Sequence, residues 1–262
     1  RTKLQQFMDR LEQMVLADYV ILEGRFARSK DPITFQQRLD LEYHAIREGE
    51  EWGQTWDSAW FHLLGKIPKE WTNDEVVAHL DFNGEALVFS PEGIPLQGLT
   101  NGSIFGRITR HNFRLAAPFL KNLQIELWVE AAANSIMGIH RPRDPERGKN
   151  TIEATGNQIA STAATLRPGD TIGRHGSYRG IVNRMRIARF KRDLYDFWLD
   201  MEVLNGLLDS VTACSTRYAR ILEGLVKVTN IFKDAEANIG QCREMLQPLL
   251  QKSANASAPT IN

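Results

Sequence analysis

The chain has little of several features that would point to a particular class of protein. Only two of its 262 residues are cysteine, Cys214 and Cys242, a low count that fits a reducing compartment. Lys+Arg and Asp+Glu each number 32, so the formal net charge is zero and nothing in the balance suggests a polyanionic partner. No apolar run approaches the roughly 20 residues that a membrane-spanning helix needs, so no membrane partner is expected.

Metal-binding motifs are also missing. The six histidines are scattered, and none belongs to a His-Glu-x-x-His motif or to a Cys/His cluster at metal-ligand spacing. The sequence therefore predicts no metal ligand in this segment. Both cysteines lie in helical patterns, where buried free thiols are favoured over a disulfide.

One basic run extends from Arg174 to Arg192. A nucleic-acid site would interleave such residues with stacking aromatics, and only Tyr178 and Phe190 are near. The pattern favours a solvated helix face or a salt-bridged domain contact, and no nucleic-acid partner is expected.

Apolar residues recur at helical spacing at both ends of the chain. The stripe over residues 3–22 predicts a helical lead-in within residues 1–50. The stripe from Leu194 to Leu208 opens a predicted helical linker region of about three helices over residues 184–251. The last residues, 252–262, have linker composition.

Between these regions the apolar period changes to two, which is typical of strands. Asn83-Gly84 is a strong hairpin signal because both residues tolerate positive φ. Short strands separated by turns predict an antiparallel β-sandwich over residues 51–140, and hence an α+β fold. Residues 141–183, rich in Arg, Gly and Pro, are predicted to be an irregular loop excursion. The predicted strands span residues 58–64, 76–82, 86–89, 104–108, 113–117 and 123–131.

Four tryptophans cluster in sequence: Trp52, Trp56, Trp60 and Trp71. Packing is the favoured role, because tryptophan supplies a large buried area in cores and between domains. Contact with a sugar is the alternative, because exposed aromatic rings stack on sugar faces. If a sugar site exists, Trp52, Trp56 and Asp57 are the candidate substrate-binding residues.

Several segments occur in an order that resembles a known family. Together they resemble the N-terminal accessory region of the cytosolic and vacuolar type of α-mannosidase, which belongs to the family-38 glycoside hydrolases. The segments are Trp56–Phe61, Ile67–Trp71, Glu85–Phe89 with Pro95–Thr100, Glu130–Asn134 with Gly138, and Arg192–Leu204.

The resemblance implies a fold and an activity for the parent protein. The sandwich is expected to be a galactose-binding-like jelly roll. Family members are retaining glycosidases with a carboxylate nucleophile, a second carboxylate as acid and base, and a divalent metal (zinc, or alternatively cobalt) on the mannose hydroxyls. In that family the motif Gly-His-x-His-x-Asp opens the catalytic domain shortly after a tail like Ala258–Asn262. The chain is therefore expected to be truncated before its catalytic domain, with no catalytic residue and no cofactor of its own.

Three hypotheses about function follow. The first is an accessory domain of an α-mannosidase that removes terminal α-linked mannose from oligosaccharides. The second is a stand-alone carbohydrate-binding module, and the third is a purely structural or oligomerisation segment. Expected partners are the protein's own catalytic domain, a mannose-containing oligosaccharide and, for assembly, a further copy of the chain. The expected location is the cytoplasm, with a vacuolar or lysosome-like compartment as the alternative.

Overall fold

The structure, a computed structural model, describes residues 2–54, 57–100, 110–133, 179–233 and 238–251. The helices are α1 Thr2–Met14, α2 Ala117–Asn122, α3 Arg192–Ser210, α4 Thr216–Ile231 and α5 Ile239–Leu250. The strands are β1 Leu16–Ile21, β2 Glu23–Ser29, β3 His44–Ile46, β4 Glu51–Gln54, β5 Ser58–Lys66, β6 Val76–Asp81, β7 Glu85–Phe89, β8 Pro95–Leu99, β9 Asn112–Arg114, β10 Gln124–Ala132, β11 Arg179–Ile181 and β12 Arg184–Phe190. Two 3-10 turns cover Gln37–Asp40 and Lys69–Trp71. No helix within the described ranges is long and apolar enough to cross a membrane.

The chain divides into two compact units. The helical unit comprises Arg1–Asp18 and Arg189–Asn262, and the sandwich unit comprises Tyr19–Ala188. The sandwich unit is therefore longer at both ends than the predicted span of residues 51–140, because residues 19–50 and 179–188 also supply strands.

The sandwich unit contains two main sheets with a shared core. One sheet has the strand order β3-β2-β5-β10-β7-β8 and the other has the order β1-β12-β6-β9. At the centre of the first, Leu63 of β5 lies opposite Leu127 of β10 in antiparallel register. Both residues belong to one buried cluster with Leu80 of β6 and Ile187 of β12. Apolar side chains of the two sheets thus share one dry interior, and the predicted antiparallel sandwich is confirmed.

Several predicted strands are found close to their predicted positions, namely β5, β6, β7 and β10. The prediction of a hairpin at Asn83-Gly84 is wrong. Asn83 does have the positive φ, 56°, that the prediction assumed. The strands on either side, β6 and β7, belong to different sheets, so this turn carries the chain from one sheet to the other. The strand predicted over 113–117 is shorter, because α2 begins at Ala117. The strand predicted over 104–108 lies outside the described residues.

The predicted helical lead-in over residues 1–50 is wrong after α1. The helix α1 ends at Met14, and β1, β2 and β3 follow it. The strand β2 has few apolar side chains to reveal it, and its place is set by pairing with β5 along its whole length, from Glu23 to Ser29. Tertiary pairing here overrides a weak local pattern.

The predicted helical region 184–251 also begins with a strand. In β12, Met185 and Ile187 are buried while Arg184 is exposed, which is the alternation of a half-buried strand. Residues 179–181 form β11 rather than loop. The rest of the predicted excursion, up to residue 178, and the linker 252–262 lie outside the described residues.

The helical unit buries the predicted stripe of α3. Leu194, Phe197, Met201, Leu204 and Leu208 are all buried. The ring of Phe7 from α1 meets Phe197 edge-on at 6.5 Å, so the N-terminal helix packs with the C-terminal ones. The two cysteines are free, Cys214 exposed and Cys242 buried.

A largely buried ion pair joins the loop between β3 and β4 to β12. Arg186 of β12 donates from Nε to Glu48 Oε1 at 2.8 Å and from Nη2 to Oε2, and the Met185 backbone N–H donates to Oε1 at 2.7 Å. The side chains of Arg186 and Glu48 are 17% and 16% exposed. Burial acts to raise the pKa of Glu48, but the bonds from Arg186 and Met185 outweigh it, so the pKa is lowered. One member of the basic run, Arg186, is thus used in a salt-bridged contact within the sandwich unit.

Replacing Glu48 with Gln is expected to destabilise the sandwich unit. The substitution leaves the buried Arg186 charge without a counter-ion, at a cost of about 2–3 kcal/mol, because Gln keeps part of the hydrogen bonding. Glu70→Gln, at an exposed position, should change stability by less than about 0.5 kcal/mol. Urea unfolding at pH 7 measures both, and equal midpoints for the two variants would contradict the role given to Glu48.

Candidate functional site

The structure describes two of the three sugar-contact candidates, Trp52 and Asp57. Trp52 is in β4, and Asp57 immediately precedes β5. Trp56 lies outside the described residues, so its predicted role stays a prediction.

Asp57 holds this turn together. Its backbone N–H donates to the Gln54 carbonyl at 2.9 Å, and its Oδ2 accepts from the Gln54 backbone N–H at 2.8 Å. The same oxygen accepts from Arg28 Nη1 at 3.4 Å. The carboxylate therefore fixes the turn and links β2 to it, a structural role that the sequence did not suggest.

Trp52 is a packing residue in this structure. It is 2% exposed, and its ring meets that of Phe61 edge-on at 5.5 Å. Its Nε1 donates to the Phe82 carbonyl at 3.0 Å, which connects β4 to the turn after β6. Gly180 of β11 lies so close that a Cβ there would clash with the indole. Burial leaves Trp52 no open ring face for a sugar to stack on, so packing, the role favoured from sequence, describes it.

A groove opens beside these residues in the sandwich unit. It lies between β2, the start of β3 and β4, with a volume of about 520 Å³. That volume is within the range of small-molecule sites. Its lining residues are Phe26, Ala27, Arg28, Leu41, Glu42, His44, Glu51, Trp52, Gly53 and Gln54.

The groove offers hydrogen bonds rather than catalysis. Arg28, Glu42, His44, Glu51 and Gln54 are all exposed, so they present donors and acceptors to solvent. Within the described ranges no three His, Cys, Asp or Glu side chains are grouped so that they could hold a metal ion. The arrangement can bind a polar ligand. The zinc implied by the family resemblance finds no fitting donor set here.

An aromatic cluster that the sequence does not predict lies on the outer face of the six-stranded sheet. The segment around the first 3-10 turn crosses this face, and Arg38, 5% exposed, lies between two rings. Its guanidinium carbon is 3.3 Å from the Phe35 centroid and 4.1 Å from that of Trp128. On its other side Trp128 stacks on His62 at 4.1 Å. Phe35 and Arg38 stand in a polar stretch without periodicity, so no local signal could have found them.

A second polar cluster lies on the four-stranded sheet. His79 Nδ1 donates to Asn112 Oδ1 at 2.7 Å, and His111 Nε2 is 3.8 Å from Asp81 Oδ2. Burial lowers the pKa of His79 to about 4, which outweighs the opposite effect of the Asn112 hydrogen bond, and the neighbouring His111 lowers it further. His79 is therefore neutral at pH 7.

His79 should make folding depend on pH. The unfolded chain binds a proton at His79 near pH 6.5, whereas the folded chain binds it only near pH 4, so acidification favours unfolding across that window. Between pH 7 and pH 5 the native chain should lose about 2 kcal/mol more stability than a His79→Gln variant. Parallel pH profiles of the two urea-unfolding free energies would contradict this account.

The hydrogen bond of Trp52 can be separated from its volume by a matched pair of variants. Trp60 is equally buried, at 1%, but its Nε1 has no partner in the described part of the chain. Trp52→Phe leaves the Phe82 carbonyl unpaired, so it should cost about 1–2 kcal/mol more than Trp60→Phe. Chemical unfolding measures the difference, and equal losses would show that the Trp52 bond contributes nothing.

Comparisons with known proteins bear on the fold and on the family. The family described as "Alpha-mannosidase, jelly roll domain" matches residues 22–159, which is 138 of the 262 residues. The match spans most of the sandwich unit, including β2 and β3, which sequence reasoning had assigned to the lead-in.

Curated relatives agree with this match. Alpha-mannosidase 2C1 of Mus musculus is 23% identical over 205 residues, covering 78% of this chain and 17% of the relative. Alpha-mannosidase 2C1 of Homo sapiens is 22% identical over 204 residues, with the same two shares. Alpha-mannosidase G of Dictyostelium discoideum is 26% identical over 132 residues, covering 48% of this chain and 12% of the relative. The chain thus spans less than a fifth of the length of these relatives. With the family match extending over more than half of its residues, the chain belongs to the alpha-mannosidase jelly-roll domain family.

Proposed function

We propose that this chain is the N-terminal accessory region of a retaining α-mannosidase of glycoside hydrolase family 38. The longer protein would hydrolyse terminal α-linked mannose from oligosaccharides. The observation that carries the proposal is the jelly-roll family match, supported by relatives that are all α-mannosidases. The segment would pack against the catalytic domain and contribute to the substrate cleft or to a subunit contact.

The chemistry would reside outside this segment. A retaining glycosidase needs two carboxyl groups about 5 Å apart on either side of the scissile bond. The groove has two exposed carboxylates, Glu42 and Glu51. The neighbouring Asp57 carboxylate accepts hydrogen bonds from Arg28 and from the Gln54 backbone and so stabilises a turn. The zinc, or cobalt, of the family would be held by the catalytic domain, where it would polarise the mannose hydroxyls.

A carbohydrate-binding role is the second candidate. The polar groove beside β4 favours it, because its lining can exchange hydrogen bonds with sugar hydroxyls. A purely structural role has less support, because the apolar stripe of α3 is already used for packing inside the helical unit. The structural role would be tested by measuring the molar mass in solution at several protein concentrations. A homo-oligomer would give a mass that rises with concentration.

The proposed location is the cytoplasm, with a vacuolar or lysosome-like compartment as the alternative. Two free thiols and the absence of a disulfide between the two cysteines fit a reducing environment.

Residues 1–262 alone are expected to release no product from an aryl α-mannoside, with zinc, with cobalt or without metal. The longer protein should hydrolyse the same substrate with retention of configuration, which NMR of the first-formed anomer reports. Turnover by residues 1–262 would contradict the accessory role. Absence of turnover in the longer protein, under conditions in which it is folded, would contradict the α-mannosidase assignment.

A further inference from the structure

A groove on the sandwich unit arises from unequal strand lengths. The strand β3 pairs with β2 only at Gly24, Arg25 and Phe26. The strand β2 continues to Ser29 and stays paired with β5 on its other side. From Ala27 onward, no described strand covers the outer edge of β2. An uncovered strand edge presents backbone N–H and C=O groups that can bond to a ligand.

The side chains around the groove add further donors and acceptors. The Arg28 side chain is 55% exposed, and its bond to Asp57 uses only one of the five guanidinium N–H groups. Glu42, from the segment before β3, contributes an acceptor pair, and Gln54, at the end of β4, contributes an amide. Three separate segments of the chain therefore bring planar polar groups to one opening.

The charge of the groove argues against ionic ligands. The Arg28 guanidinium is paired with the Asp57 carboxylate, and the exposed carboxylate of Glu42 also lines the opening. An anion such as phosphate would meet net negative charge. A divalent cation would need a group of three acidic, His or Cys ligands, which the described residues do not provide.

We infer that this groove binds a short α-linked manno-oligosaccharide, a neutral ligand whose hydroxyls both donate and accept hydrogen bonds. The inference rests on the proposed function for the choice of mannose, and on the groove itself for the choice of a neutral polyol. The volume of about 520 Å³ suits an organic ligand rather than a single ion. Because Trp52 is buried and offers no stacking face, affinity must come mainly from hydrogen bonds, and a Kd of about 1 mM is expected.

The test is an NMR titration of isotopically labelled residues 1–262 with α-linked mannotriose. Saturable shifts are expected at residues of β2 and β4, with a Kd of about 1 mM. The double variant Glu42→Ala/Gln54→Ala removes two exposed groove groups and should weaken binding at least tenfold. The matched control, Glu23→Ala/Gln124→Ala, removes one Glu and one Gln at exposed positions outside the groove lining and should bind like the native chain.

Each alternative outcome overturns the inference. No saturable shift up to about 10 mM, ten times the expected Kd, would exclude a sugar site. Equal binding by the groove variant and the control would place the sugar elsewhere, and equal binding of maltotriose would remove the preference for mannose. Unchanged spectral dispersion confirms that both variants are folded. Hydrolysis of an aryl α-mannoside by the longer protein is measured in parallel, so that the groove and the proposed function can fail separately.

Discussion

The ion pair between Glu48 and Arg186 is the constraint on which the sandwich unit depends. It joins positions 138 residues apart in the chain and is reinforced by the Met185 backbone N–H. At the same corner Gly49 donates to the Val182 carbonyl at 2.7 Å, and Val182 donates back to Glu50 at 3.0 Å. These contacts bring β11 alongside β4, where Gly180 lies opposite Gly53. Closing a loop of this length costs conformational entropy, and an isolated pair of exposed charges would not offset it. Burial of the pair and the backbone bonds around it make the closure stable.

The position of β4 decides what the groove can be. Once β11 is beside it, Trp52 is held under Gly180 and bonded to the Phe82 carbonyl. The indole therefore contributes to the core, and only the polar end of β4 remains at the surface. Asp57 then ties that end to Arg28 on β2. The groove is a consequence of strand placement and is lined by hydrogen-bonding side chains, while the tryptophan takes the packing role that the sequence favours.

The sequence predicted the parts of the fold that are locally encoded. In β10 the apolar residues Ile125, Leu127 and Val129 recur at every second position and are buried, and α3 has an apolar stripe, so both could be found from their periods. β2 and the corner at Glu48 could not, because their burial comes from partners distant in the chain. The turn at Asn83 shows the limit of local signals, since its positive φ was predictable but the sheets that it joins were not. For the site, the structure shows Trp52 buried in packing and Asp57 bonded within a turn, and their proposed contact with sugar stays a prediction. Arg28 and Glu42 are distant in sequence from β4, so only the topology brings them to the groove.

Under the function proposed above, the groove would form part of the substrate cleft of an α-mannosidase and would serve the reaction by binding, without touching the bond that breaks. Binding energy gained on remote sugars of the substrate lowers KM for long substrates and does not affect short ones. The most direct measurement is therefore steady-state kinetics of the longer protein carrying Glu42→Ala/Gln54→Ala, with α-linked mannotriose and with an aryl α-mannoside. The account predicts a raised KM for mannotriose at unchanged kcat, with both constants for the aryl mannoside as in the native protein. Identical kinetics on mannotriose, or an equal loss on both substrates, would contradict it.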